Sequence, residues 1–436
     1  MAKKKEENKE SSSILDDLIS KEFTQMTDLS KEDLEVKYWI DSGNYALNYV
    51  MSKHLKGGYP LHHIIGIAGK SGVGKSMFPD IASKDPIFDD VIIFDSEGSG
   101  GNGASLAKFL DCDLTKMKRM PVKCLDSYRV RKKDGKIEAV AEKDIPANLE
   151  TDDYLYHRGL IMTIKKILYA LEYRHTDRET LIIIDSLSNI KSTRELGGTS
   201  DMGATNKLLN DFFSSIDSTL EAAKCTIMFA GKIYTDLNNA YNVDGIIKGG
   251  EAVMYNPSLM LMNTNMADNP EFSTAQSDAE KAVRKTGLGS QLKTIRIKVK
   301  KSRFGTEGRN AWVVLDSTYG LTRYSGLLQL LIDFGLAVKE GNNYKVPGVI
   351  VNDKGEDIKI AKKDFPAIFM AKHEEYIEKL QPLFDKHEEE EKIRRKTLNI
   401  NDVDDVKNND EDEDVTSMTD MLTAMEVEQE VAASKV

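Results

Sequence analysis

Short, continuous apolar runs alternate along this chain with stretches in which apolar residues recur at helical spacing. Four runs, His63–Ala68, Val91–Asp95, Leu181–Asp185 and Thr226–Ala230, each end in a polar or glycine-rich segment. A strand covered by helices on both faces has this composition, because it has no solvent face to alternate. The span 58–265 therefore predicts an α/β domain built on a mostly parallel sheet. Lys293–Lys301 and Ala311–Leu315 read as a later strand pair. In Val130–Val140, Asp134–Gly135 separates two short alternating runs, which predicts a surface hairpin inserted into the domain.

The ends read differently. Residues 1–12 have the Lys/Glu/Ser composition of a disordered segment. Ile14, Leu15, Leu18, Ile19 and Phe23 then recur at helical spacing behind a candidate cap, Ser13. That helix stands apart from the next element, so its apolar face can dock on its own domain or on another copy. Residues 325–385 read as a small α+β appendage, with helices at Leu327–Phe334 and Asp364–Leu383 and a turn in GNNYKVPG. The expected organisation is a segment 1–37, a core 38–324, a small domain 325–398 and a tail 399–436.

Charge changes this picture only when resolved by segment. The net charge is −11, from 60 basic and 71 acidic residues. Residues 399–436 hold twelve acids and two lysines, a net of −10, which leaves −1 for the rest. Residues 281–309 carry ten basic residues against Glu307 alone. Overall acidity therefore does not exclude a polyanionic partner. No apolar run reaches the length of a membrane span, and the N-terminus lacks the apolar core of a signal peptide. Three cysteines without CxxC spacing argue for a reducing, cytoplasmic setting without disulfides or structural zinc.

The strongest motif is Gly69–Lys70–Ser71–Gly72–Val73–Gly74–Lys75–Ser76, which fits GxxxxGK[ST] between a strand and a helix. Its glycines let backbone N–H groups turn toward phosphate oxygens, and the helix start adds positive potential. Lys75 is expected at the β/γ-phosphates of ATP and the Ser76 hydroxyl on Mg²⁺. Asp185 ends the strand run Leu181–Asp185 and supplies the carboxylate that holds hydrated Mg²⁺. Glu97 follows the intervening strand and reads either as a general base that polarises the attacking water or as an ordinary loop acid.

The order of P-loop, Asp95–Ser96–Glu97 and IIIDSLSNI resembles RecA-type recombinases. The segment 225–263 resembles the strand, second loop and Gly-Gly pair of that family, the segment 294–337, with KSR, YGL and YSGLL, is most similar to phage UvsX-type recombination proteins, and the resemblance covers about 38–350. It implies a RecA-like P-loop ATPase core and makes Glu97 the family's catalytic glutamate. It also implies that Lys301 and Arg303 reach the γ-phosphate held by an adjacent protomer, as an arginine finger does. The stretch 191–206, with Lys191, Arg194, Gly197 and Gly198, corresponds to the first DNA loop. The stretch 234–248, with Tyr234, Asn238, Asn239, Tyr241 and Lys248, corresponds to the second. The family usually has Gln or His as a γ-phosphate sensor where this chain has Lys232.

The resemblance implies a recombinase that polymerises with itself on single-stranded DNA, pairs it with double-stranded DNA and exchanges strands. If phage-encoded, it would act in the cytoplasm of a bacterial host. Glycine-rich polar loops without a zinc finger or RRM signature suit sequence-independent, salt-dependent binding. The acidic tail reads as a competitor of DNA phosphates or as a solubilising segment. Its Met418, Met421, Leu422 and Met425 can dock on a single-strand binding protein, a mediator protein or a helicase. A RecA-fold hexameric helicase and a non-catalytic RecA-fold DNA-binding regulator are the alternatives. Only about 60 residues precede the P-loop, short for a helicase's assembly domain, and the intact P-loop and acids argue against the regulator.

Overall fold

The computed structural model describes residues 36–97, 107–108, 110–133, 136–141, 155–157, 159–174, 177–196, 202–234, 246–247, 249–266, 292–316 and 320–397. A large sheet organises it, with strands numbered here in chain order: β1 Ile64–Gly69, β2 Phe88–Asp95, β3 Met117–Pro121, β4 Glu179–Asp185, β5 Cys225–Tyr234, β6 Leu259–Met266, β7 Leu292–Ser302, β8 Asn310–Asp316 and β9 Gly320–Leu321. Their order across the sheet is β9-β8-β7-β6-β1-β5-β4-β2-β3. The six strands from β6 to β3 are parallel, and β7, β8 and β9 extend the sheet antiparallel. The α/β class and the mostly parallel sheet expected from the apolar runs are what the structure has.

The sequence explains the strands locally. Ile64, Ile65 and Ile67 of β1 and Leu181–Ile184 of β4 are all buried. At the sheet's outer edge, β3 carries exposed Lys118 and Arg119, and charge on an edge strand discourages pairing with another chain. Neither β3 nor β6 is anticipated from the sequence: one is too charged to read as a strand, and the other passes from LMLM into the polar NTN.

The helices are α1 Tyr45–Ser52, α2 Met77–Ala82, α3 Leu160–Tyr173, α4 Thr193–Leu196, α5 Met202–Ile216, α6 Gly250–Tyr255, α7 Leu327–Asp333, α8 Phe365–Ala371 and α9 His373–Thr397. Asn44 caps α1 by accepting from the Leu47 N–H at 2.8 Å, and its amide donates to the Thr322 and Ser325 carbonyls beyond β9. One core joins Ile182, Ile184, Ile227 and Phe229 of the sheet to Leu160, Ile164 and Leu168 of α3 and Leu209, Phe212 and Phe213 of α5. Each such side chain contributes about 1.5–3 kcal/mol on burial.

Besides the short pair Trp39–Ile40 with Tyr59–Pro60, two three-stranded sheets accompany this plan. The hairpin expected near Asp134–Gly135 is present as Tyr128–Lys133 paired with Lys136–Ala141, and Leu155–His157 adds a third antiparallel strand. Near the C-terminal end, Val338–Glu340, Asn343–Lys345 and Ile360–Ala361 form a three-stranded sheet. The GNNYKVPG stretch thus supplies a strand as well as a turn, with Gly341 at φ +63°. The helix expected over Asp364–Leu383 is split between α8 and α9 at Lys372.

The chain divides into two compact units, Met1–Glu378 and Lys379–Val436. The described part of the second is α9 from Lys379 onward. The expected helix near 13–23 and the acidic tail lie outside the described residues. Among the described residues, no helix is long and apolar enough to cross a membrane.

Candidate active site

Strand register gathers the motif residues at one edge. Gly69 of β1 lies level with Lys232 of β5 and Asn263 of β6, and Asp95 of β2 lies level with Asp185 of β4. These are the carboxyl ends of parallel strands, where open α/β sheets bind their ligands.

The P-loop leaves β1 at Gly69 and enters α2 after Ser76. Gly72 and Gly74 hold φ of +79° and +72°, in the left-handed region that side chains avoid. A Cβ on Gly74 would also lie 2.3 Å from Leu315 Cδ2 of β8, so the loop is seated on the antiparallel part of the sheet. Lys75 Nζ donates to the Lys70 carbonyl at 2.7 Å, across the loop. Lys293 of β7 donates to the Gly72 carbonyl at 3.3 Å. The Ser76 hydroxyl lies near the Asp185 carboxyl and pulls its pKa down. A hydroxyl and a carboxylate oxygen placed together are the donors a hard divalent cation takes.

Two carboxylates and two ammonium groups share this edge. Burial, and then Glu97, pushes the Asp185 carboxyl up, while Ser76, Lys75 and Lys232 pull it down. Burial and Lys232 lower Lys75, opposed by Asp185 and Glu97. Burial, then Asp185, raises buried Asp80 of α2 to about 7. Glu97 accepts a hydrogen bond from the Asn189 amide at 2.8 Å and lies 3.4 Å from Lys232 Nζ. Lys232 donates in turn to Asn189 Oδ1 at 2.8 Å, and its backbone N–H donates to Ser188 Oγ at 2.7 Å. Asn189 therefore joins the acid after β2 to the lysine near the end of β5. Sequence reading misses Asn189, Ser188 and Lys293. The signal for the first two is their place in the polar run just after Asp185.

Lys301 and Arg303 lie elsewhere. Lys301 pairs with Met260, which pairs with Gly66, early in β1. The Arg303 N–H donates to the Ser258 carbonyl, and the Ser258 N–H donates to the Ile64 carbonyl, at the end of β1 opposite Gly69. Lys301 Nζ donates to the Tyr255 and Pro257 carbonyls, at 2.6 Å for the latter, and Arg303 donates to Asp217 at 2.8 Å. Burial, then Arg303, lowers Lys301. Within one chain these two cations are not brought to the P-loop.

Both candidate DNA loops leave from the P-loop edge. Lys191 follows the 3₁₀ turn Leu187–Asn189, and exposed Arg194 lies in α4. Gly197 and Gly198 lie outside the described residues, as do Asn238, Asn239, Tyr241 and Lys248. Exposed Tyr234 ends β5, and its pairing with Ile246, and of Ile233 with Ile247, closes the base of the second loop. Gly250 then takes φ +70°, and a Cβ there would meet the Asn206 side chain of α5 at 2.4 Å. The exit of the second loop is thereby packed on the helix that follows the first. A cavity of about 780 Å³ lies beside α4, away from the P-loop, lined by residues including Lys165, Arg194 and Lys207.

The chain is similar to a RecA protein. It is 22% identical over 348 residues to protein RecA of Desulforapulum autotrophicum (strain ATCC 43914 / DSM 3382 / VKM B-1955 / HRM2), covering 78% of this chain and 83% of that one. No family model matches the chain. The similarity supports a relationship to the RecA family, and the central sheet with its P-loop is a RecA-like core.

Proposed function

We infer that this chain is an ATP-dependent homologous recombinase, similar in kind to the phage UvsX proteins. It forms a helical homo-oligomer on single-stranded DNA, pairs that strand with double-stranded DNA and exchanges strands, hydrolysing ATP as DNA stimulates it. The observation that carries this reading is the Glu97–Asn189–Lys232 connection, which ties the candidate general base to the strand that opens into the second loop.

The Gly72 and Gly74 turn presents backbone to the ATP phosphates, and Lys75 balances charge at the β/γ-phosphates. Ser76 and Asp185 are the oxygen donors for Mg²⁺. Bound Mg²⁺ supplies charge neutralisation on the phosphates, and such ions commonly take one or two protein donors with phosphate and water completing the shell. Glu97 orients the attacking water and accepts its proton. Asn189 and Lys232 hold Glu97, and DNA contact at the loop after Tyr234 reaches the acid through Lys232 of β5. Lys232 stands in for the usual amide or imidazole sensor. Lys301 and Arg303 act on ATP bound to a neighbouring copy, so turnover depends on assembly.

Core residues 38–324 carry this activity, 325–398 form an accessory domain, and the segment 1–37 docks on the next protomer. The tail 399–436 competes with DNA for basic surfaces and offers its methionine-containing stretch to a single-strand binding protein, mediator or helicase. Encoded by a phage, the protein works in the cytoplasm of the bacterial host. Electron microscopy with single-stranded DNA and a slowly hydrolysed ATP analogue tests the reading. Long helical filaments are expected, whereas closed rings with directional unwinding would make it a helicase.

A further inference from the structure

Two neighbouring cations of the edge strand β3 have different surroundings. Lys118 pairs with Asp90 at 3.1 Å, and its side chain is 70% exposed. Arg119 pairs with Asp95, and here the side chains are 30% and 8% exposed. Register explains the second pair. Arg119 lies level with Ile93, and Asp95, two residues on, presents its side chain to the same face. An open surface pair such as the first contributes little. Removing one partner of the second would leave a carboxylate unpaired where water hardly reaches it, which costs far more.

Asp95 stands two residues before the candidate general base, and its two oxygens serve different partners. Oδ2 pairs with Arg119 Nη2, and Oδ1 accepts a hydrogen bond from the Glu97 N–H at 2.9 Å. The same short segment is tied to the ends of both neighbouring strands. The Val122 N–H, just after β3, donates to the Asp95 carbonyl at 2.8 Å, and the Ser96 N–H donates to the Asp185 carbonyl of β4 at 2.9 Å. Ser96 Oγ donates to the Ser186 carbonyl at 2.7 Å and accepts from the Ser186 N–H at 2.9 Å. Asn189 and Lys232 meet the Glu97 carboxylate, whereas these contacts hold its backbone. Of them, the bond from Asp95 depends on a buried charge, and Arg119 balances that charge.

We propose that Arg119 is a positioning residue for ATP hydrolysis: through Asp95 it fixes the backbone of Glu97 and so sets where the general base meets the attacking water. The inference rests on the reading of Glu97 as that base. Without the guanidinium, the Asp95 carboxylate turns toward water, because a charge is not held in a dry site without a partner. Glu97 then loses the bond that orients it. Displacing a catalytic group by about 1 Å can cost on the order of 10²-fold in rate.

The test uses the full chain with Arg119→Gln, alone and combined with Glu97→Gln. Single-turnover hydrolysis on single-stranded DNA reads the chemical step, and titration calorimetry with the slowly hydrolysed ATP analogue reads nucleotide binding. R119Q is expected to hydrolyse ATP about ten- to a hundredfold more slowly, with an unchanged Kd for the analogue. In the E97Q background the same change is expected to have no further effect, because no carboxylate remains to be positioned. R119K, which keeps the charge, is expected to regain most of the rate. D95N/R119Q leaves no buried charge unpaired and takes the place of R119Q if that variant does not fold; its loss, too, is expected only where Glu97 is present. A wild-type rate in R119Q would overturn this inference alone, as would a lysine variant no faster than R119Q. An equal loss with and without Glu97, or a Kd weakened as much as the rate, would also overturn it, by making Arg119 a support of the sheet edge. A wild-type protein that hydrolyses no ATP on single-stranded DNA, or an E97Q variant that keeps the wild-type rate, would overturn the reading of Glu97 together with it.

Discussion

The two ends of strand β1 gather different sets of groups. At Gly69 the chain gathers its P-loop, Asp185, Glu97, Asn189 and Lys232, the last three joined by hydrogen bonds. At Ile64 it places Lys301 and Arg303, which rest on the carbonyls of 255–257 and on Asp217 and face no phosphate-binding loop of their own chain. The first end combines two carboxylates with two ammonium groups and a glycine-rich turn. The second offers two cations, one of them paired with Asp217. If the two ends are halves of one γ-phosphate site, as proposed above, they lie about one strand length apart in a single chain, and a second copy would have to bring them together.

The largest effect is expected at the distant end. Lys301→Ala should lower DNA-stimulated ATPase by on the order of 10³-fold, as removal of a charge supplied in trans does. ATP binding by the isolated chain should be unaffected, and titration calorimetry at low protein concentration checks this. A normal rate would reduce Lys301 to a structural lysine. Next, Glu97→Gln should slow turnover by about 10²-fold or more while retaining nucleotide and filaments, read by single-turnover hydrolysis. Rapid hydrolysis in that variant would remove the general base from the near end.

Asn189→Ala should act more weakly and more selectively. Losing hydrogen bonds to a charged group costs about 1.5–3 kcal/mol, or roughly ten- to a hundredfold. The loss should fall on DNA stimulation more than on the basal rate. Equal losses in both would mean that Asn189 supports the fold of the edge and does not couple it to DNA.

The smallest effect concerns stability. Asp80 sits near Asp185 with its carboxyl raised from 3.8 to about 7, chiefly by burial. The folded chain therefore holds this proton more tightly than the unfolded chain does. The associated stability is complete below pH about 4 and is lost as pH rises through about 7, by on the order of a few kcal/mol. Asp80→Asn should flatten that slope in urea titrations and stabilise the protein near pH 8. A variant with an unchanged slope would show that the carboxyl is better solvated than its burial implies.

Much of the near end is legible in the sequence, because contiguous runs such as Leu181–Ile184 signal buried strands and the P-loop spacing is restrictive. Asn189 is not legible, since its role depends on β2, β4 and β5 ending level across the sheet, a matter of register. The separation of Lys301 from the P-loop likewise depends on β6 and β7 pairing in a particular alignment, and β6 itself hides behind its polar second half. The third strand of the insert, Leu155–His157, is too short to signal itself. Gly249–Gly250 is visible as a motif, but its close approach to Asn206 follows only from the packing of α6 on α5.

Complementation between two inactive variants measures the division of the site most directly. Lys75→Ala removes the near half and Lys301→Ala the distant half, and each protein alone should be nearly inactive on single-stranded DNA. Mixed in equal amounts, they should regain a substantial fraction of wild-type ATPase, because some interfaces then pair an intact P-loop with an intact Lys301. No recovery from variants that co-assemble on DNA would contradict a site completed by the neighbouring chain.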